Sequence, residues 1–262
     1  MDIRMEFEKL YDRGTGGWFA PAHLRHPFDP ACVERWREEQ PLNYAPVERE
    51  VGQLYSTLTR LLRPRLVLET GTHFGYSSVC IADALEENGE GGILHTVDLV
   101  AERHLFQNTR HEERVVFVNG NSLEVELSQF VGPDSRRGPG GMPIFDMLVL
   151  DADHRYGGII GEVNRLSPHL RLGGVMLLHD SMYFDGVGLV VRQLARSGCF
   201  DVVTLPTPRR HGLAEGRCPG LTIATKTAPF GEDHLETDPT LLDVEVSLPG
   251  RTERDPPLVG VG

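Results

Sequence analysis

Residues 66–85 read LVLETGTHFGYSSVCIADAL, an apolar run, a turn bracketed by Gly71 and Gly75, and then a helix-forming stretch. The run LVLET (66–70) predicts a strand, GTHFGYSS (71–78) a turn, and VCIADALEE (79–87) a helix. The same alternation continues outward. HTVDL (95–99) is the next strand, ERHLFQNTRHEE (102–113) the next helix, RVVFVNGNS (114–122) a third strand with its exit loop, and LEVELSQF (123–130) a helix. The Gly- and Pro-rich GPDSRRGPGGMP (132–143) reads as a surface loop, because a buried loop could not satisfy its own backbone. IFDMLVLDADH (144–154) and GGVMLLHDS (173–181) are apolar strands that end in charged residues, separated by the helix GGIIGEVNRLSPHL (157–170). Helix GLVVRQLARSG (188–198) and strands FDVVTL (200–205) and GLTIATK (220–226) complete the series. Continuous apolar runs such as LVL, MLVL and VMLL suit strands buried on both faces, so the expected fold is α/β: a Rossmann-like, mainly parallel sheet with helices on both faces.

Three segments are expected: a helical N-terminal extension (1–62), the α/β domain (63–228), and an acidic, Pro-rich C-terminal extension (229–262). In the first, short helices are predicted over Cys32 to Glu39 and Pro46 to Leu62; in the last, VEVSLP (244–249) is the one strand candidate. With 38 acidic against 26 basic residues and a net charge of −12, the 262-residue chain would repel a phosphate backbone, so nucleic acid is not an expected partner. No stretch reaches the roughly 20 apolar residues that cross a bilayer, and the charged start MDIRMEFEKLYDR does not resemble a signal peptide. A cytoplasmic protein without a membrane partner is the expectation. The four cysteines are scattered and form no CxxC pair, and the oligomeric state is left open, a homo-oligomer included.

In a parallel sheet, ligands bind beyond the carboxyl ends of the strands, and here four strands end in polar groups. Glu69, Gly71 and Gly75 follow the first, Asp98 ends the second, Asp151, Asp153 and His154 follow the fourth, and His179 and Asp180 the fifth. The G-x-x-x-G spacing departs from the G-x-G-x-x-G of dinucleotide folds, and Glu69 would repel a pyrophosphate but suit a cationic sulfonium. Asp98 is placed to accept both ribose hydroxyls. Asn121 and Ser122 could meet an adenine edge or cap the next helix. The carboxylates Asp151 and Asp180, with His179, could hold a hard divalent cation, and His154 or Asp153 could take a proton. The plain alternative is that the acids cap the following segments while the histidines make ordinary hydrogen bonds.

Residues 66 to about 226 resemble class I S-adenosylmethionine-dependent methyltransferases, especially the metal-dependent small-molecule O-methyltransferases of catechol, caffeoyl-CoA and antibiotic-sugar type. The stretches carrying the resemblance are LVLETGTHFGYSSVCIADAL, HTVDL, FVNGNS, LVLDADHRYGG and GGVMLLHDS. It implies a seven-stranded sheet with an antiparallel last strand. It assigns the methionine portion of the cofactor to the turn of Glu69, Gly71 and Gly75, the ribose to Asp98 and the adenine side to Ser122, and Thr72, Ser77, Asn121 and Asp151 are expected among the cofactor contacts. Asp151 becomes the first metal carboxylate beside the cofactor. Where that family commonly follows its fifth strand with Asp-Asn or Asp-Asp, this chain has His179-Asp180, and His154 stands where a lysine base is common. The implied cofactors are S-adenosyl-L-methionine and a divalent metal, Mg²⁺ first and Mn²⁺, Fe²⁺ or Zn²⁺ as alternatives. The implied reaction methylates a hydroxyl of a phenol, vicinal diol or natural-product sugar, as in antibiotic biosynthesis. Two alternatives stay open: an NAD(P)-dependent oxidoreductase, and a catalytically idle methyltransferase-like subunit.

Overall fold

In the computed structural model, residues 47–100, 104–134, 136–207, 218–231 and 234–245 are described. The expected helix over Cys32 to Glu39, most of the N-terminal extension, most of the 206–219 loop and most of VEVSLP lie outside them. Four α-helices occur among the described residues: α1 (Arg49–Leu62), α2 (Tyr76–Asn88), α3 (Tyr156–Leu166) and α4 (Asp185–Arg196). The strands are β1 (Leu66–Thr70), β2 (Ile93–Asp98), β3 (Val115–Asn119), β4 (Phe145–Leu150), β5 (Leu170–His179), β6 (Phe200–Leu205) and β7 (Leu221–Lys226). They form one seven-stranded sheet in the order β3-β2-β1-β4-β5-β7-β6. β7 runs antiparallel to both β5 and β6, and every other pairing is parallel. This is the mainly parallel α/β sheet that the alternation of apolar runs implied, with the seven strands and antiparallel last strand that the resemblance implied.

Because side chains alternate along a strand, each central strand feeds two cores. Val67, Met147, Val149 and Leu177 face one layer with Tyr55 of α1 and Val79 of α2. Leu66, Leu68, Leu148, Leu150, Met176 and Leu178 face the other with Ile159 and Val163 of α3 and Val190 and Leu194 of α4. No helix among the described residues is long and apolar enough to cross a membrane.

Two expected helices are not formed. Between β2 and β3 the described chain has turns and one short 3-10 helix (Arg110–Arg114), and within LEVELSQF only the 3-10 turn Leu127–Gln129 is helical. Neither ERHLFQNTRHEE nor LEVELSQF has an apolar stripe sustained over three turns, and side chains compete for the backbone. Thr109 accepts from the N–H of His111, Asn121 from that of Leu123, and Glu126 from that of Ser128.

The C-terminal extension is pinned to the domain where it is described. The N–H groups of Tyr156 and Gly157, which open α3, donate to the carbonyls of Val244 (2.8 Å) and Leu242 (2.9 Å). That of Gly186 in the first turn of α4 donates to Glu245 (3.2 Å), so the tail satisfies helix-start donors that have no partner within their helices. Tyr156, which follows the fourth strand, serves this anchorage: its hydroxyl donates to the carbonyl of Glu236 and accepts from the N–H of Asp238.

Candidate active site

β1, β2, β4 and β5 are mutually parallel, so Glu69, Asp98, Asp151 and Asp180 gather at one rim of the sheet. The β1 turn is built around a close approach. Gly71 has φ +84°, its N–H donates to the Val97 carbonyl, and a Cβ there would lie 2.2 Å from the carbonyl oxygen of Asp151. Gly75 has φ +80°, and a Cβ would lie 2.9 Å from the Phe106 ring. Both glycines are thus required by the protein's own packing, without appeal to a ligand.

Glu69 is buried. Its Oε2 accepts from the Ser78 hydroxyl and from that of Thr96 (2.7 Å). Since the Thr96 proton is used on Glu69, the Thr72 hydroxyl, 2.7 Å from Thr96, supplies its own proton to it. Burial pushes the Glu69 carboxyl up to about 7 against the pull of the hydroxyls of Ser77, Ser78 and Thr96. Its Oε1 is buried without a hydrogen-bond partner, an unmet acceptor that a cationic or N–H-bearing ligand would satisfy.

Asp98 Oδ2 accepts from the N–H of His73 (2.8 Å) and Oδ1 from that of Val100 (3.0 Å), which fixes the carboxylate and leaves lone pairs for two ribose hydroxyls. Asn121 closes a local turn: its Oδ1 accepts from Leu123 and its amide donates to Glu124. The Ser122 carbonyl accepts from Arg165.

The densest group lies beyond β4 and β5. His154 Nε2 is 3.3 Å from both Asp151 Oδ1 and Asp180 Oδ2. His179 Nδ1 is 3.2 Å and 3.5 Å from the same two oxygens. Asp180 is held at φ +56°, a left-handed backbone that aspartate tolerates and that marks strain at a site. Burial would raise the Asp151 carboxyl, but the charges of His179 and His154 hold it well below the usual carboxylate range. Conversely, burial would lower both imidazoles. For His154, the bond to Asp151 and the charge of Asp180 win and raise it; for His179, the charges of Asp180, Asp151 and Glu48 do so.

Among the described residues, Asp151, His154 and Asp180 offer donor atoms all within 4.8 Å of one another. Bonds of about 2.1 Å place neighbouring ligands about 3.0 Å apart in an octahedron and about 3.4 Å apart in a tetrahedron. The 3.3 Å separations of His154 Nε2 from both carboxylates fit a divalent cation among these three groups, so the cluster takes His154 where the sequence pointed to His179, whose Nδ1 lies 3.2 and 3.5 Å from the same two oxygens. Asp153 stands apart from the cluster's centre: its carboxylate accepts from the Arg155 backbone N–H (3.0 Å) and from both Nε and Nη2 of that side chain.

Three residues escape a reading of strand ends. Glu48, at the start of α1, accepts from His179 Nε2 at 2.9 Å across 131 residues of chain, a separation that no local pattern reveals. Tyr55 of α1 is fully buried with a hydroxyl that lacks a hydrogen-bond partner, and the acids Asp151 and Glu69 add to burial in raising its phenol. Glu162 of α3 is buried beside the hydroxyls of Ser122 and Thr70, neither in good hydrogen-bond geometry, and burial pushes it up to about 7. A visible signal existed for Glu162: it interrupts the buried stripe of Ile159, Val163 and Leu166.

A family model described as a methyltransferase domain matches residues 68–181. The chain is 30% identical over 127 residues to a rhamnosyl O-methyltransferase of Mycobacterium tuberculosis, a match covering 48% of this chain and 50% of that protein. It is 25% identical over 169 residues to caffeoyl-CoA O-methyltransferase 2 of Populus trichocarpa, with 62% and 64% covered. The chain therefore spans about half the length of the first of these relatives. Among solved structures, the O-methyltransferase TomG from Streptomyces achromogenes shares the fold at a TM-score of 0.54 and 20% identity, covering 87% of this chain and 100% of that one. A methyltransferase from Geobacter sulfurreducens does so at 0.57 and 19%, covering 76% and 89%.

Proposed function

We propose that this protein transfers the methyl group of S-adenosylmethionine to a hydroxyl of a small molecule, with the help of a divalent cation and with S-adenosylhomocysteine leaving; the match of residues 68–181 to a methyltransferase-domain model and the strand order of the sheet support this reading. The observation that carries the reading is the pair of carboxylates Asp151 and Asp180 facing two imidazole nitrogens at 3.2–3.5 Å, on the same rim as Glu69 and Asp98. The relatives' names supply the acceptor class, a sugar or phenolic hydroxyl. No G-x-G-x-x-G follows β1, which argues against a dinucleotide enzyme.

In this reading the β1 turn of Glu69, Gly71, Thr72, Gly75 and Ser77 receives the methionine portion of the donor, with the unmet Oε1 of Glu69 facing its cationic end. Asp98 takes the ribose, and Asn121 and Ser122 flank the adenine. Asp151, His179 and Asp180 hold the cation. Mg²⁺ suits the carboxylates and Mn²⁺ suits the mixed oxygen and nitrogen set. When bound, it lowers the pKa of an acceptor hydroxyl and fixes its direction.

The two imidazoles divide the work by their surroundings. His179 is buried, with its far nitrogen clamped by Glu48, which suits a ligand. His154 has 22% of its side chain exposed and stacks on Phe184 at a centroid distance of 4.2 Å, so a proton it accepts can leave to solvent. Asp153, engaged by Arg155, is the weaker base. Positioning supplies most of the rate, since in-line alignment of reacting groups contributes several kcal/mol, up to ~7–11.

The deciding experiment incubates the protein with S-adenosylmethionine and a panel of catechols, vicinal diols and sugars, and measures S-adenosylhomocysteine formed. Turnover is expected with at least one class, to disappear on exhaustive chelation and to return with Mg²⁺ or Mn²⁺; turnover indifferent to chelation removes the metal from the mechanism. A second expectation concerns pH. Only a neutral imidazole accepts a proton, so the rate rises as His154 deprotonates. The neighbouring carboxylates set that midpoint above the ordinary imidazole value of about 6.5, and added cation pulls it down. His154→Gln is expected to flatten this alkaline rise while leaving Mn²⁺ uptake in place. A variant with the wild-type pH profile dismisses His154 as base, and one that has lost Mn²⁺ makes it a ligand.

A further inference from the structure

Glu48 precedes the first turn of α1, outside the segment matched by the methyltransferase model, and its placement there is unusual. An acidic residue at a helix start ordinarily accepts from the helix's own free N–H groups. Glu48 makes no such cap, and its carboxylate is instead buried against His179 Nε2 at 2.9 Å. On the other side of the ring, Nδ1 faces Asp151 Oδ1 at 3.2 Å and Asp180 Oδ2 at 3.5 Å. A histidine that binds a cation through one nitrogen characteristically donates its other N–H to a carboxylate, which fixes both the tautomer and the plane of the ring.

We propose that Glu48 is a positioning residue of the cation site: by accepting the Nε2–H of His179 it holds the Nδ1 lone pair toward Asp151 and Asp180, making α1 part of the site's construction. This rests on the metal-assisted reading given above and adds to it a residue from outside the matched domain. Its consequence is that the cation site is complete only when the start of α1 is docked on the sheet. Neighbouring geometry agrees. Val47, Val51 and Tyr55 of the same segment are buried in the core that also contains Val149 and Leu177, so the segment's docking is fixed by apolar packing independent of the Glu48 bond. Removing the carboxylate therefore frees the ring without undocking the helix.

The test is Mn²⁺ binding to the full chain, followed by the loss of the free-ion EPR signal and by calorimetry, for the wild type, Glu48→Leu and Glu48→Gln. Thermal melts of each protein confirm that it is folded. Glu48→Leu is expected to bind Mn²⁺ about 10–100-fold more weakly, the usual cost of losing such an outer partner. Glu48→Gln retains a carbonyl acceptor and is expected to recover most of that loss. A purely structural role would lower the melting temperature of Glu48→Leu and leave its Mn²⁺ affinity at the wild-type value, and that result overturns the proposal. Should Glu48→Leu not fold, Glu48→Ala, which also removes the acceptor, is paired with His179→Asn: if Glu48→Ala weakens binding in the wild type and not in the His179→Asn background, Glu48 acts through His179. Equal weakening in both backgrounds, or none in either, overturns that. Failure of the wild type itself to take up Mn²⁺ refutes the metal reading, whereas uptake that all variants share refutes only the role of Glu48.

Discussion

Asp151→Asn is expected to lower turnover by roughly 10²–10³-fold, the scale on which a single preorganised electrostatic group is lost. The substitution keeps the shape of the side chain and removes its charge from a site where His154 and His179 approach the same oxygen at 3.3 and 3.2 Å. An amide oxygen can still accept from one of these rings, but it cannot anchor a divalent cation as a carboxylate does. Binding of S-adenosylhomocysteine should change by less than about tenfold, under ~1.4 kcal/mol, because the other groups assigned to the donor lie on β1, the turn from β1 into α2, β2 and the loop after β3. Single-turnover kinetics together with calorimetry separate the two effects; full single-turnover rate in Asp151→Asn would end the proposal of a charged cation site.

The same substitution should alter acid stability in a defined direction. The Asp151 carboxyl is held below its unfolded value, so its contribution to stability is fully present above the ordinary carboxylate pKa of about 3.9 and is lost as pH falls through the lowered folded value. Asp151→Asn removes that contribution at neutral pH and flattens the acid limb of a stability curve.

Gly71→Ala is expected to damage both fold and rate. Its φ of +84° is unfavourable for any residue with a Cβ, and the added carbon would sit 2.2 Å from the Asp151 carbonyl oxygen, far inside contact distance. Backbone strain of about 1–2 kcal/mol and overpacking of about 1–3 kcal/mol together lower stability by roughly 2–5 kcal/mol. For a chain of this size that corresponds to a melting temperature lower by about 4–20 °C. Relief requires β1 and the start of the 151–154 loop to move apart, and a displacement near 1 Å at reacting groups costs on the order of 10²-fold in rate. A thermal melt and a progress curve check it. An unshifted melt would mean that the turn and the Asp151 backbone are not in the contact described.

The outcome also bears on how much of the site could be read from sequence. Gly71 stands out in the sequence as a turn glycine, and ligand approach is the natural reason to give. The contact that demands it, however, is with Asp151, 80 positions later. Glu69 was legible because a carboxylate directly after an apolar strand has no local reason to be there. Its hydroxyl partners Thr96 and Ser78 were not, since they come from β2 and α2 and are ordinary residues in those elements. The missing helices between β2 and β3 and after β3 failed for a related reason. Thr109, Asn121 and Glu126 offer the backbone local bonds in place of helical ones.

By itself the sequence determined the sheet and the rim. Apolar runs long enough to be buried on both faces, each ending abruptly in acid or histidine, admit few arrangements other than parallel strands with their polar ends together. Tertiary structure alone decided which of those polar groups touch. It set His154 and His179 against the same two oxygens, gave Asp153 to Arg155, and brought Glu48 onto His179 from a helix far upstream. Burial is a property that each strand's own residues encode, whereas hydrogen-bond partnership depends on distances that only the packed chain defines.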